Sequence, residues 1–168
     1  MNYFDLFEIP VQLKVDKSLI TPRFFEQSRK YHPDYFVNEG SDAQATALEK
    51  SAMLNKAYKV FQSGDETIKY VLQLKGLLEE EEKYGLPPEF LMEVLEINEQ
   101  LMDADDESVA SGITTTINNL QQEIYEPVKA IIENFQEGVT SEKELLQVKE
   151  YYYKKKYIDR IRKELKAK

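Results

Sequence analysis

Apolar residues recur along this chain at intervals of three and four almost throughout, and few stretches alternate apolar with polar positions. That periodicity predicts an all-α protein. A short apolar segment from Tyr3 to Ile9 fits two helical turns ended by Pro10. A second helix ends at Tyr31 and begins either at Asp16 or at Thr21, where Thr would be the N-cap and Pro22 the first helical residue. The earlier start places Pro22 inside the helix at the cost of a hydrogen bond, so both starts stay open. Ser41 or Asp42 caps a third helix running to Gln62, with Leu48, Ala52, Leu54, Tyr58 and Phe61 as its expected buried stripe. Ser63-Gly64-Asp65 stops it, and Ile68, Val71, Leu72 and Leu74 mark a short fourth helix.

The run Glu79-Glu80-Glu81-Glu82, followed by Tyr84-Gly85 and Pro87-Pro88, reads as a connector, because its charges repel along a helix and Gly and Pro interrupt one. This divides the chain into residues 1–75, a linker at 76–86, and a second domain at 87–168. The second domain holds three helical segments. The middle one carries Val109, Ile113, Ile117, Leu120, Ile124, Val128, Ile131 and Phe135, with a kink expected at Pro127. The last starts near Ser141 and carries Tyr151, Ile158, Ile161 and Leu165. One apolar stripe per helix predicts an antiparallel three-helix bundle.

Composition narrows the chemistry. The 168 residues include no cysteine and a single histidine, His32, which excludes disulfides, thiolate metal sites, a catalytic thiol and a multi-histidine metal centre. No cofactor is expected. No apolar run approaches the ~20 residues of a membrane span and no leader is recognisable, so a cytoplasmic protein without a membrane partner is expected. The formal net charge of −9 argues against general nucleic-acid binding. That charge is uneven. Residues 1–75 carry 10 basic and 10 acidic groups, residues 76–147 carry 3 and 18, and residues 148–168 carry 9 and 3. Opposite charge on neighbouring helices favours their association, although exposed pairs are individually weak.

Two places stand out. The first is Tyr31-His32-Pro33-Asp34 at the end of the second helix, where proline stops the helix and fixes a turn. The turn displays an imidazole and a carboxylate suited to a partner's guanidinium or backbone amides. An ordinary helix stop is the plain alternative. On a helical wheel, Arg23, Gln27 and Lys30 fall within about 60° of one another, so a basic stripe leads to the turn. Phe24, Ser28 and Tyr31 occupy a neighbouring, inward arc.

The second place lies just beyond the linker. Phe90, Val94, Ile97 and Leu101 cluster as a normal core stripe, but Leu91, Leu95, Met102 and Met92 widen the apolar arc to about 220°. Two neighbouring helices do not bury so much of a third. The surplus edge is bordered by Glu96, Glu99 and Asp103, the makeup of a protein-binding site unless the linker or first domain covers it.

Asn2-Tyr3-Phe4-Asp5-Leu6-Phe7, Arg23-Phe24 and Tyr31-His32-Pro33-Asp34-Tyr35-Phe36 resemble the J-domain of HscB-type co-chaperones. Ser51-Ala52-Met53-Leu54-Asn55-Lys56-Ala57-Tyr58, Tyr70-Val71-Leu72-Gln73-Leu74-Lys75-Gly76 and Glu89-Phe90-Leu91-Met92-Glu93-Val94-Leu95-Glu96 fit the same family. The resemblance implies an N-terminal J-domain, an antiparallel helical hairpin with short helices, followed by a C-terminal three-helix scaffold-binding domain. It implies a role in iron–sulfur cluster assembly with two partners, a DnaK-class ATPase chaperone of the HscA type and an IscU-type scaffold protein. His32, Pro33 and Asp34 would then contact the chaperone and stimulate its ATP hydrolysis, with Arg23, Gln27 and Lys30 meeting an acidic chaperone surface. The scaffold-binding positions would be Leu91, Met92, Leu95, Glu96, Glu99 and Asp103, with an aromatic contribution from Tyr157.

Two positions depart from the family pattern. Tyr35 stands where lysine is usual, and Thr67 where the fourth helix commonly has arginine, so chaperone choice is open to retuning. A helical adaptor with an inactive J-like half is therefore a second reading. A His32/Asp34 acid–base enzyme is a third, although no nucleophile, metal cluster or phosphate loop accompanies that pair. Tyr151, Tyr152 and Tyr153 span about 200° of a wheel, so at least one is expected at the surface.

Overall fold

A computed structural model describes residues 1–167, and among these every regular element is helical. The chain forms α1 (Tyr3–Leu6), α2 (Lys17–Lys30), α3 (Ser41–Phe61), α4 (Gly64–Leu74), α5 (Pro88–Met102), α6 (Glu107–Tyr125), α7 (Lys129–Glu133) and α8 (Glu142–Ala167). Single 3₁₀ turns occupy Pro33–Phe36 and Glu126–Val128. The helices divide into two compact units, one of Met1–Leu74 with Phe135–Val139, the other of Lys75–Asn134 with the chain from Thr140 onward.

In the first unit, α2 takes the earlier of its two possible starts. The Asp16 carboxylate accepts hydrogen bonds from the Ser18 backbone N–H (2.9 Å) and hydroxyl (2.7 Å), which hold its pKa below the ordinary value and cap the helix. Pro22 therefore sits inside α2 and leaves the Ser18 carbonyl without a helical donor. Packing sustains the helix past that point. Phe24 stacks on Tyr58 at 4.1 Å, a hydrogen bond of 3.1 Å joins the Thr21 and Tyr58 hydroxyls, and Lys50 lies 4.9 Å from the Tyr31 ring. The start of α2 thus meets the end of α3 and its end meets the middle of α3, an antiparallel hairpin. Across it, α1 brings Phe4 and Phe7 onto Phe61 at 5.0 and 5.2 Å, and Tyr3 stacks on Tyr70 of α4 at 4.3 Å.

The buried face of α3 is Ala47, Leu54, Ala57 and Phe61, whereas Leu48 is 60% exposed and Ala52 also faces water. Ala47, Leu54 and Phe61 recur every seven residues, two turns apart, so the true stripe begins one position before the expected one. The helix starts after Gly40, whose φ of +100° needs a residue without a side chain, and neither Ser41 nor Asp42 caps it. Leu74 closes α4 partly exposed, while Thr67 is buried and its hydroxyl donates to the carbonyls of Val60 (3.1 Å) and Ser63 (2.9 Å). Thr67 therefore fastens the α3–α4 corner and presents nothing to the surface.

The second unit is a bundle of α5, α6 with its short continuation α7, and α8. The Arg162 guanidinium donates to Asn118 Oδ1 (2.8 Å) and Gln121 Oε1 (2.9 Å), and Tyr151 packs on Tyr125 at 5.6 Å, so α6 and α8 run antiparallel. Pro127 breaks the α6 helix into the 3₁₀ turn. The tighter winding moves the buried position after Val128 to Ile132 and leaves Ile131 half-buried at the edge of the stripe, while Phe135 lies beyond α7 and groups with the first unit. Val109 at the start of α6 is also exposed.

Tyr151, Tyr152 and Tyr153 are all buried, against the expectation that one faces water. The chain between α4 and α5 supplies the cover, since Tyr84 stacks on Tyr153 at 4.7 Å and Leu78 and Leu86 are buried. Its acidic run is anchored as well. Glu82 accepts a hydrogen bond from Lys149 Nζ at 2.6 Å and others from the Glu79 N–H and the Tyr153 hydroxyl. These contacts, Lys149 foremost, hold the Glu82 carboxyl below the ordinary carboxylate range. Stability from such a group is complete above its unfolded pKa and disappears as pH falls through the lowered folded value. Lys149→Met is therefore expected to cost about 1 kcal/mol at neutral pH, allowing for residual solvent screening at the pair. The gap between variant and wild type should close in strongly acidic solution, as followed by chemical denaturation across pH.

Candidate functional site

The end of α2 is set by local stereochemistry. His32 precedes proline and adopts extended geometry (φ −65°, ψ 128°), and Pro33 opens the 3₁₀ turn with its fixed φ. The backbone N–H of Asp34 donates to His32 Nδ1 over a long 3.3 Å, and the Asp34 carboxylate lies 3.6 Å from the same nitrogen. Both contacts fall on Nδ1, and the imidazole remains largely exposed to an incoming partner. The side chains are 54% exposed for His32 and 82% for Asp34, with Pro33 half-buried between them. The turn thus offers an imidazole and an anionic acceptor two residues apart, locked by the proline between them. Tyr35 is also exposed and meets the imidazole edge-on at 6.0 Å, so an aromatic ring occupies the place where the resemblance implies lysine.

The three residues of the expected basic stripe do not share one environment. Arg23 and Lys30 flank the outer edge of α2, where Arg23 Nη1 lies 3.5 Å and Lys30 Nζ 3.9 Å from the Glu8 carboxylate. Gln27 is only 2% exposed, and its side-chain amide donates to the Leu6 carbonyl at 2.8 Å. It ties α2 to the end of α1 and is removed from any docking surface. The sequence does hold a signal for this. Gln27 lies seven residues after Ile20, the other buried residue of α2, and two helical turns return to nearly the same face.

In the second unit, Pro88 opens α5 at its first helical position and the core stripe Phe90, Val94, Ile97 and Leu101 is buried. The neighbouring edge is open to solvent, with Leu91 38%, Leu95 57%, Met92 63% and Met102 79% exposed. Glu96, Glu99 and Asp103 border it and are exposed as well. Two leucines and two flexible methionines rimmed by carboxylates can enclose an apolar side chain and pair with surrounding cations. Tyr157 is half-buried. Its ring meets Phe90 edge-on at 6.2 Å, and the Arg160 guanidinium lies 5.5 Å from the ring centre, so it belongs to the seam between α8 and α5. Among the described residues, no group of three His or acidic side chains is arranged to hold a metal ion, and no helix is long and apolar enough to cross a membrane.

Comparison with known proteins adds lineage to this geometry. Residues 86–166 match the family described as the HSCB C-terminal oligomerisation domain. The chain is 32% identical over 127 residues to a co-chaperone protein HscB homolog of Vibrio cholerae, covering 73% of this chain and 74% of that protein. The chain belongs to the HscB family. The HscB homolog of Photobacterium profundum extends the similarity to nearly the full length, at 27% identity over 166 residues that cover 98% of this chain and 95% of the relative. Two solved HscB structures share the architecture. Chaperone HscB from Vibrio cholerae superposes with a TM-score of 0.73 at 26% identity, covering 99% of this chain and 96% of that one. Human co-chaperone HscB gives 0.79 at 26% identity, covering 99% and 81%. As in the HscB structures, an N-terminal J-domain precedes a C-terminal helical domain; in this chain the first carries the His32-Pro33-Asp34 turn and the second the α5 edge.

Proposed function

We propose that this HscB-family protein binds an IscU-type iron–sulfur cluster scaffold protein and delivers it to a DnaK-class, HscA-type chaperone whose ATP hydrolysis it stimulates. The observation that supports this most directly is the presence of two exposed recognition elements of opposite character, one on each unit of a co-chaperone family member. The J-domain turn offers charge and directional hydrogen bonds. Asp34 receives a guanidinium or backbone amides, His32 presents its exposed imidazole, and Pro33 holds the two in one conformation, which reduces the ordering cost of docking. Arg23 and Lys30 provide positive charge along the approach to an acidic chaperone surface.

The α5 edge offers apolar burial instead. Leu91, Met92 and Leu95 form the floor for the scaffold, Glu96, Glu99 and Asp103 set orientation and on-rate at its rim, and Tyr157 adds aromatic surface beside Phe90. The protein does no covalent chemistry in this scheme. It raises the chaperone's turnover by binding the ATPase and presenting a substrate at the same time.

The test is steady-state ATP hydrolysis by the chaperone with this protein, with the scaffold, and with both. Expected is acceleration by this protein alone and a greater than additive rate with both. A rate with both that does not exceed that of the chaperone alone overturns the proposal.

A further inference from the structure

Helix α1 ends at Leu6, and Glu8 follows as the second residue beyond it with φ of +57°. Its N–H donates to the Asp5 carbonyl and the next N–H, of Ile9, donates to the Phe4 carbonyl, both at 3.0 Å, so the turn is held in this shape. A left-handed residue after a helix is ordinarily glycine, because a side chain there crowds the backbone. Glutamate at such a position keeps a strained backbone, and its carboxylate reaches both cations of the chaperone-facing edge, Arg23 at 3.5 Å and Lys30 at 3.9 Å. Glu26 also stands 4.0 Å from Arg23. Arg23, Glu8 and Lys30 all remain substantially solvent-accessible, so the arrangement is a competitor for these cations and not a buried structural pair.

We propose that Glu8 acts as an intramolecular mimic of the chaperone's acidic docking groups, a specificity-determining residue that weakens electrostatic docking until a partner surface displaces it. The inference rests on the proposed chaperone role of Arg23 and Lys30. A partner carboxylate arriving at these cations must push the Glu8 side chain aside and then lie beside a like charge. Only an acidic surface with several carboxylates in the right places outcompetes it, whereas a weakly acidic one does not. The device trades affinity for discrimination.

The experiment titrates chaperone ATPase stimulation with wild type, Glu8→Gln and Glu8→Gly. Glu8→Gln removes the charge and keeps the side chain, and Glu8→Gly also relieves the backbone, so neither threatens folding. Both are expected to reach half-maximal stimulation at a concentration about threefold to tenfold lower than wild type at low salt. Their plateau should equal that of wild type, because His32, Pro33 and Asp34 are unchanged, and the difference should vanish at about 0.5 M salt. A loss of packing would not show this salt dependence. Half-saturation equal to or weaker than wild type in both variants overturns the inference, provided His32→Gln reduces stimulation. If wild type gives no stimulation, or His32→Gln stimulates as well as wild type, the chaperone reading fails and the inference fails with it.

Discussion

His32→Gln is expected to leave the J-domain folded while reducing stimulation of the chaperone's ATPase by about 30-fold or more, the loss of a contact worth about 2 kcal/mol. The imidazole is half exposed and its intramolecular contacts are confined to its own turn, with Asp34 and Tyr35. Removing it should therefore change stability by no more than about 0.5 kcal/mol, as for other exposed positions. Glutamine keeps hydrogen-bonding capacity but not the rigid ring whose Nδ1 contacts the Asp34 N–H and carboxylate. Docking would then have to order a flexible side chain that the wild type holds in place. The measurement is chaperone ATPase at sub-saturating co-chaperone, where stimulation follows affinity, with thermal unfolding as the folding control. Equal stimulation by wild type and variant would sink the J-domain role and leave the inactive-adaptor reading standing.

Leu91→Ala/Leu95→Ala is expected to weaken scaffold binding by about 30-fold or more without melting the bundle. The effect depends on where the side chains sit before binding. Leu95 is more than half exposed and Leu91 more than a third, so truncation takes little packing from the free protein. In the complex the same methyl groups would be removed from water, and a fully buried leucine side chain is worth about 1.5–3 kcal/mol. Leu95→Ala alone should cost more than Leu91→Ala, because Leu91 is already partly covered by its neighbours. Titration calorimetry with the scaffold measures the loss, and circular dichroism reports the bundle. Unchanged affinity in the double variant would refute the α5 edge as the scaffold site.

The sequence was most legible where a helix has one strongly apolar face. On α5 the wheel separates Phe90, Val94, Ile97 and Leu101, which are buried, from Leu91, Leu95 and Met92, which are not. It was least legible where apolar and small residues crowd together. On α3, Leu48 and Ala52 look as suited to the core as Ala47 and Ala57, and only the partner helices decide which set faces inward. Gln27 failed for a related reason. A glutamine between two cations reads as surface, but the free carbonyl of Leu6 at the end of α1 needed a donor, and Gln27 was the side chain within reach.

Local rules thus settled much of this protein before any tertiary contact is considered. Helical periodicity, the proline that stops α2 short of His32, and the surplus of apolar positions on α5 depend on residues within one or two turns of each other, so they can be read along the chain. Tertiary structure decided the rest because it depends on residues far apart in sequence. In the Tyr151-Tyr152-Tyr153 run, Tyr151 is covered by Tyr125 of α6, and Tyr153 by Tyr84 of the segment before α5, which also ties Glu82 to Lys149. The cations of α2 are partly neutralised because a left-handed turn after α1 delivers Glu8 between them. Charge counted along the chain could not anticipate either outcome, since electrostatic pairing follows distance in space and not separation in sequence.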